Sequence, residues 1–274
     1  MRALDTPLVV FDTESATCAG PPHLIEVGAV RIEDGEAQER FQALIAPAVP
    51  VDPEVTRVHG LSDEDLRRAP DAGPVLREFF AWAGDATLVA HGARADASAI
   101  GFECARRGIR PPALRVLDSL PLARRAFPEC PDHRLATLAD HLELEPLELH
   151  RALPDAVACW QVLEAALEVL WQGEAPGEAR LFELAGAPLL LDRCLPPAPT
   201  RKPTIRRALE RARSERVPVQ LVYGGPGETP ARLDVLPRLL YRGRERSYLE
   251  GECRSSGTLK TYRLDRIHEV RPLP

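Results

Sequence analysis

The chain has 274 residues, is 45% hydrophobic and carries a formal net charge of −6, a composition that supports one large core or two modest ones. No stretch reaches the roughly 18–20 consecutive apolar residues of a membrane span, and Met1 to Asp5 lacks the apolar run of a secretory leader. The cysteines at 18, 104, 130, 159, 194 and 253 form no C-x-x-C pair, which argues against a zinc ribbon or a disulfide framework and for a reducing cytoplasm; the lack of a long apolar stretch carries the expectation of no membrane association.

The net charge conceals an asymmetry. Residues 1–200 carry 18 basic and 32 acidic side chains, whereas residues 201–274 carry 17 and 9. A basic segment behind an acidic body implies two domains with different electrostatic tasks. The second is either able to hold phosphate backbones or simply basic.

In chain order, Leu8-Val9-Val10-Phe11 is a short apolar run that stops at Asp12, the pattern of a buried central strand. Leu24 to Ile32 and Glu39 to Ile45 follow as strands, with Glu33-Asp34-Gly35 supplying a hairpin turn. Ser62 is placed to cap a helix start, with Asp65 three residues on. Val75 to Trp82 reads as a short helix and Thr87 to Ala90 as a buried strand. A helix from about Ala93 to Arg107 then ends at Gly108. Val116 to Asp118 is a fifth strand, after which helices cover Ser119–Ala126, Leu135–Leu142 and Arg151–Trp171. This order describes an α/β layer with a mixed sheet.

Residues 173–203 are rich in Gly and Pro and read as a linker, with a short helix near Arg180–Leu184. A helix from Thr204 to Arg216 and strands at Val217–Tyr223, Arg232–Leu240, Ser247–Cys253 and Leu259–Leu264 follow, a small β-rich module of sheet or barrel type. The expected division is therefore 1–172, 173–203 and 204–274.

Carboxylates at the ends of buried strands carry the chemistry. Period-2 alternation puts Asp12 and Glu14 on one face, where both can share a cation. Oxygen-only ligands favour Mg²⁺ or Mn²⁺. Taken alone, such a pair is as readily a solvated surface feature. Its company changes that: Asp96 lies five residues after His91, just behind a buried strand, and Asp155 lies five residues after His150, where the long amphipathic helix begins.

With these residues the chain resembles the DEDD-type 3′→5′ exonucleases, in the His-containing DEDDh (DnaQ-like) branch. The first motif is Val10-Phe11-Asp12-Thr13-Glu14. The second is His91-Gly92-Ala93-Arg94-Ala95-Asp96, where the family has H-N-A-x-F-D. The third is His150-Arg151-Ala152-Leu153-Pro154-Asp155-Ala156, against H-x-A-x-x-D-A. Val58-His59-Gly60-Leu61 and Asp118 to Arg124 match as well, so the resemblance spans about residues 6–172. It implies a ribonuclease H-like mixed sheet flanked by helices, with Asp12, Glu14, Asp96 and Asp155 holding two Mg²⁺ or Mn²⁺ ions. It also implies His150 as general base, a task suited to an imidazole. The substrate implied is nucleic acid with a free 3′ end, DNA or RNA. His91 reads as a residue that orders the second motif by hydrogen bonding. Ser15-Ala16-Thr17-Cys18 stands where the family continues D-T-E-T-T-G, so the nucleotide pocket is expected to differ.

Residues 204–274 resemble the WYL domain, a small Sm-like β-barrel. The resemblance rests on Tyr223, Pro237, Ser247-Tyr248-Leu249, Gly251 to Arg254 and the run Thr261 to Ile267. It implies a surface of Tyr248, Arg254, Arg263 and Arg266 that meets nucleic acid or an anionic nucleotide effector. Alternation sends Arg263 and Leu264 to opposite faces, so a basic surface can coexist with an apolar core. Alternatively, Arg266 pairs with Asp265 or Glu269 and braces the barrel. The family's Trp is replaced by Ser247. Two functions follow for the whole chain: a metal-dependent exonuclease with a strand-gripping or effector-sensing module, or a ligand-responsive regulator with a vestigial nuclease fold. No protein partner is indicated.

Overall fold

The apolar run at Leu8 becomes the central strand β1 (Leu8–Ser15), which pairs antiparallel with β2 (Leu24–Glu33) on one side and parallel with β4 (Thr87–Ala90) on the other. The computed structural model describes residues 7–144, 150–172, 177–200 and 202–273. Within it the chain divides into two units, residues 1–104 with 109–195, and residues 105–108 with 196–274. In the first unit β3 (Glu36–Leu44) adds to β2, β5 (Arg115–Asp118) adds parallel to β4, and β6 (Leu189–Leu190) closes the row antiparallel to β5. The sheet order is β3-β2-β1-β4-β5-β6, a mixed ribonuclease H-like sheet.

The helices are α1 (Pro53–His59), α2 (Asp63–Leu66), α3 (Ala72–Ala83), α4 (Arg94–Arg107), α5 (Leu120–Ala126), α6 (Leu135–His141), α7 (Ala152–Trp171) and α8 (Glu178–Ala185). Strand alternation sorts them onto the two faces of the sheet. Val9 and Phe11 bury against Leu76 and Phe79 of α3 and Ile100 of α4, whereas Leu8 and Val10 bury against Leu163 and Leu167 of α7. Asp12 and Glu14 continue the second set and therefore face α7. Ser62 and Asp65 form the expected capping box at α2.

Two features of the first unit depart from the sequence reading. Helix α1 follows from Pro53 at its first turn and Gly60 at its C-cap, with φ 76°. The stretch read as a linker is largely folded: Leu181 of α8 and Leu191 after β6 are buried in the first unit. Of that stretch, residues 173–176 and 201 lie outside the described residues.

In the second unit, α9 (Pro203–Glu215) is followed by β7 (Val219–Tyr223), β8 (Ala231–Arg242), β9 (Ser247–Cys253), β10 (Thr258–Arg263) and β11 (Ile267–Pro272). They form an antiparallel sheet of order β10-β9-β8-β7-β11. Its core joins Leu209 and Ala212 of α9 to Leu221, Val235, Leu249, Tyr262 and Ile267. Strand β11 has no clear signal in the sequence, because its His268-Glu269-Val270-Arg271 has a weak apolar alternation and is recruited by pairing with β7.

Candidate active site

Three carboxylates converge, with a fourth alongside, where the order of the sheet reverses its connections, beside the carboxyl end of β1. Asp12 and Glu14 project from β1 toward the first turn of α7, which carries Asp155. Among the described residues, Asp12, Glu14 and Asp155 each offer an oxygen, all three lying within 4.8 Å of one another. Asp96, in the first turn of α4, arrives from the other face and is outside that trio. Its Oδ1 accepts hydrogen bonds from the Thr13 amide (3.1 Å) and the Thr13 hydroxyl (2.7 Å).

Crowding and burial set the electrostatics. Burial, then the neighbouring Asp96, Asp155 and Glu14, hold the Asp12 carboxyl well above the usual carboxylate range. Burial, then Asp155 and Glu26, push Glu14 up to about 8, with Arg151 opposing. Burial lifts Asp96 to about 6 against the Thr13 hydrogen bonds, and Asp155 is raised by burial against the His150 amide. An all-oxygen donor set whose members repel one another fits a hard divalent cation, which favours the ionised form of each.

His150 stands exposed in front of α7 with φ 69°, a left-handed conformation that costs a non-glycine residue energy. Its amide donates to both oxygens of Asp155, at 3.2 and 3.1 Å. The structure thus ties the two ends of the third motif together. His91 is engaged through both ring nitrogens, with Ser119 Oγ at 3.0 Å and the His133 carbonyl at 2.7 Å. Burial lowers its pKa.

Sequence reasoning misses Glu26. It lies directly across from Glu14 in the β1–β2 ladder, is fully buried, and forms a bidentate ion pair with Arg151 at 2.9 and 2.8 Å. The available signal is a lone glutamate inside Leu24-Ile25-Glu26-Val27-Gly28-Ala29-Val30, since a charge in a buried strand needs a partner.

In the second unit, Tyr248 and Arg263 are brought together as register partners of β9 and β10, and Tyr248 stacks on Tyr241 with ring centroids 5.3 Å apart. Arg263 is not a free cation: Asp265 accepts from its Nε at 3.0 Å and its Nη2 at 2.6 Å. The pairing expected for Arg266 is therefore made by Arg263, while Glu269 pairs with Arg271 and the Arg266 Nε is buried without a hydrogen-bond partner among the described residues. Arg254 is exposed just beyond β9, six residues from Tyr248 and so roughly 20 Å along the strand. It is not brought into the Tyr248–Arg263 pair. Close by, Lys202, Arg242 and Arg246 line a cavity of about 410 Å³ together with Glu245 and Asp265.

Comparison with known proteins bears on both units. A family model described as Exonuclease matches residues 9–163, and one described as WYL domain matches residues 204–272. DNA polymerase III PolC-type from Bacillus cereus is 35% identical over 161 residues, which are 58% of this chain and 11% of that protein. The chain thus matches only a small part of that relative's length. Among solved structures, Exonuclease X in complex with 5′ overhanging duplex DNA superposes with a TM-score of 0.52 at 22% identity, covering 65% of this chain and 99% of that one. The nuclease domain of 3′hExo, a DEDDh family member bound to rAMP, gives 0.51 at 16% identity over 61% of this chain and 93% of that one. At these identities the structural likeness is one of fold. With the exonuclease model spanning more than half of its length, the chain belongs to the DnaQ-like exonuclease family and carries a WYL domain at residues 204–272.

Proposed function

We propose that the chain is a 3′→5′ exonuclease that releases nucleotides from single-stranded DNA or RNA. The observation that carries this reading is the trio Asp12, Glu14 and Asp155, whose oxygens lie within 4.8 Å of one another beside His150. These three, with Asp96, would hold a pair of Mg²⁺ or Mn²⁺ ions. Cations bound there lower the pKa of a water and neutralise charge on the phosphate. His150, exposed in front of α7, takes the proton of the attacking water, and its backbone amide, hydrogen-bonded to both oxygens of Asp155, anchors the residue beside that carboxylate. Thr13 holds Asp96 by two hydrogen bonds, which keeps the fourth carboxylate oriented toward the end of β1.

In the WYL domain, Tyr248 offers a stacking surface beside the guanidinium of Arg263, a combination suited to single-stranded nucleic acid. An anionic nucleotide effector uses the same chemistry. The division into an exonuclease domain and a WYL domain implies that the first cuts and the second grips or senses.

The deciding experiment uses 5′-labelled DNA and RNA oligonucleotides side by side, with Mg²⁺ or Mn²⁺. A ladder shortening from the 3′ end is expected. Intact strands with either metal and folded protein would sink the enzyme reading and favour a regulator built on a nuclease fold.

A further inference from the structure

Glu26 is a fifth carboxylate beside the cluster, and it differs from the other four in how its oxygens are used. It accepts from Arg151 Nε at 2.9 Å, Arg151 Nη2 at 2.8 Å, the Ala152 amide at 3.2 Å and Gln42 Nε2 at 2.9 Å. A carboxylate has about four acceptor sites, so Glu26 is saturated by protein donors. It is absent from the trio whose oxygens converge.

What Glu26 holds is informative. Arg151 is the N-cap residue of α7, and its side chain makes no capping hydrogen bond. A guanidinium has no acceptor to offer the open amides of a helix start. Glu26 supplies the missing acceptor from the neighbouring strand, capping the Ala152 amide while its ion pair pins the N-cap side chain. Two of the three residues it grips, Arg151 and Ala152, lie between His150 and Asp155, and the Asp155 amide bonds back to the Arg151 carbonyl at 3.0 Å. The β1–β2 ladder sets Glu26 directly opposite Glu14. One buried side chain therefore couples the strand carrying Asp12 and Glu14 to the helix turn carrying Asp155.

We propose that Glu26 is a positioning residue of the exonuclease site: a helix cap donated by β2 that fixes the spacing between the β1 carboxylates and the His150–Asp155 turn. The inference rests on the exonuclease reading above. It assigns Glu26 no contact with substrate or cation. Outer partners of this kind typically contribute about 10- to 100-fold to metal affinity or activity.

The test compares Glu26→Gln, Arg151→Met and the double variant with the wild-type full chain. Readouts are kcat and KM on a labelled strand, Mn²⁺ affinity by calorimetry, and Tm. Glu178→Gln, which removes the ion-pair partner of Arg115 elsewhere in the unit, controls for stability loss alone. Each single variant is expected to lose about 10-fold or more in kcat and in Mn²⁺ affinity, with KM within about 2-fold. The double variant is expected to be no worse than the poorer single, because the two groups act as a unit. Glu178→Gln is expected to lower Tm and leave kcat and Mn²⁺ affinity intact. Wild-type-like kcat and Mn²⁺ affinity in both single variants, or losses matched by Glu178→Gln, would overturn the proposal while the exonuclease reading stands. Should Glu26→Gln fail to fold, Arg151→Met decides, since that side chain is 31% exposed. Were the wild type inactive on every strand, the exonuclease reading would fall and Mn²⁺ calorimetry on the same variants would still decide the role of Glu26.

Discussion

Gly28 sits against Leu153: a Cβ built on Gly28 would lie 2.1 Å from the Leu153 amide nitrogen. The same glycine is the register partner of Asp12. The first turn of α7 therefore rests on the backbone of β2 at the one position that lacks a side chain, and this close approach delivers Asp155 to Asp12 and Glu14.

Gly28→Ala should push α7 off the sheet, because the new Cβ is fixed by the β2 backbone and meets backbone atoms of Ala152 and Leu153 that cannot rotate away. We expect a loss of about 2–3 kcal/mol or more in denaturant unfolding. We also expect a fall in kcat of at least about 10-fold from the displaced Asp155. Wild-type stability and activity in this variant would contradict the packing described.

The raised carboxyls make the metal-free protein sensitive to pH in a defined direction. Glu14 ionises near its ordinary value of 4.5 in the unfolded chain but only at about 8 in the folded one. Between those values the folded state binds the extra proton, so stability falls as pH rises, and the penalty is complete above about 8. Asp96, raised to about 6, acts with the same sign at lower pH. In chelator-treated protein, Tm should drop by about 5 °C between pH 5 and pH 8, the equivalent of roughly 2 kcal/mol in a domain of this size. Saturating Mg²⁺ or Mn²⁺ should reverse the drop by favouring the ionised form. Glu14→Gln should flatten the profile and remove activity, whereas an unchanged slope would dissociate Glu14 from the effect.

His150 combines an exposed side chain with a left-handed backbone at φ 69°. His150→Gly should relieve that strain and stabilise the protein by about 1 kcal/mol. The same change should lower kcat by about 10²- to 10⁴-fold through loss of the base, with KM little altered. His150→Ala should share the kinetic loss without the stability gain. A glycine variant with near-normal kcat would remove His150 from the reaction.

On the WYL surface, Asp265 competes with any anionic ligand for Arg263. Asp265→Asn should tighten binding of a single-stranded oligonucleotide by about 2- to 5-fold, in keeping with a surface ion pair. Arg263→Ala with Arg266→Ala should weaken it and reduce the salt slope of log K by about 1–2. Fluorescence anisotropy between 50 and 200 mM salt would measure both. Insensitivity of affinity and slope to all three changes would move the binding surface elsewhere, with the Lys202–Arg242–Arg246 cavity as the next region to probe.

Local pattern in the amino-acid sequence accounts for much of this molecule. Apolar runs and their punctuation locate most strands and helices of the first unit, though not α1, because burial there follows local period. The Asp12-Thr13-Glu14 pair with Asp96, His150 and Asp155 marks the cluster because strand ends and helix starts are where carboxylates can converge. Elements held by pairing rather than by their own pattern are not legible in this way: two-residue β6 depends on β5, and β11 depends on β7. Nor can spacing along the chain reveal that Asp96 approaches from the opposite face and leans on Thr13. The largest omission is Glu26, 125 residues from Arg151. Its sequence shows a charge in a buried strand, and only the packing of α7 on β2 supplies the guanidinium and the amide that make the charge tolerable there.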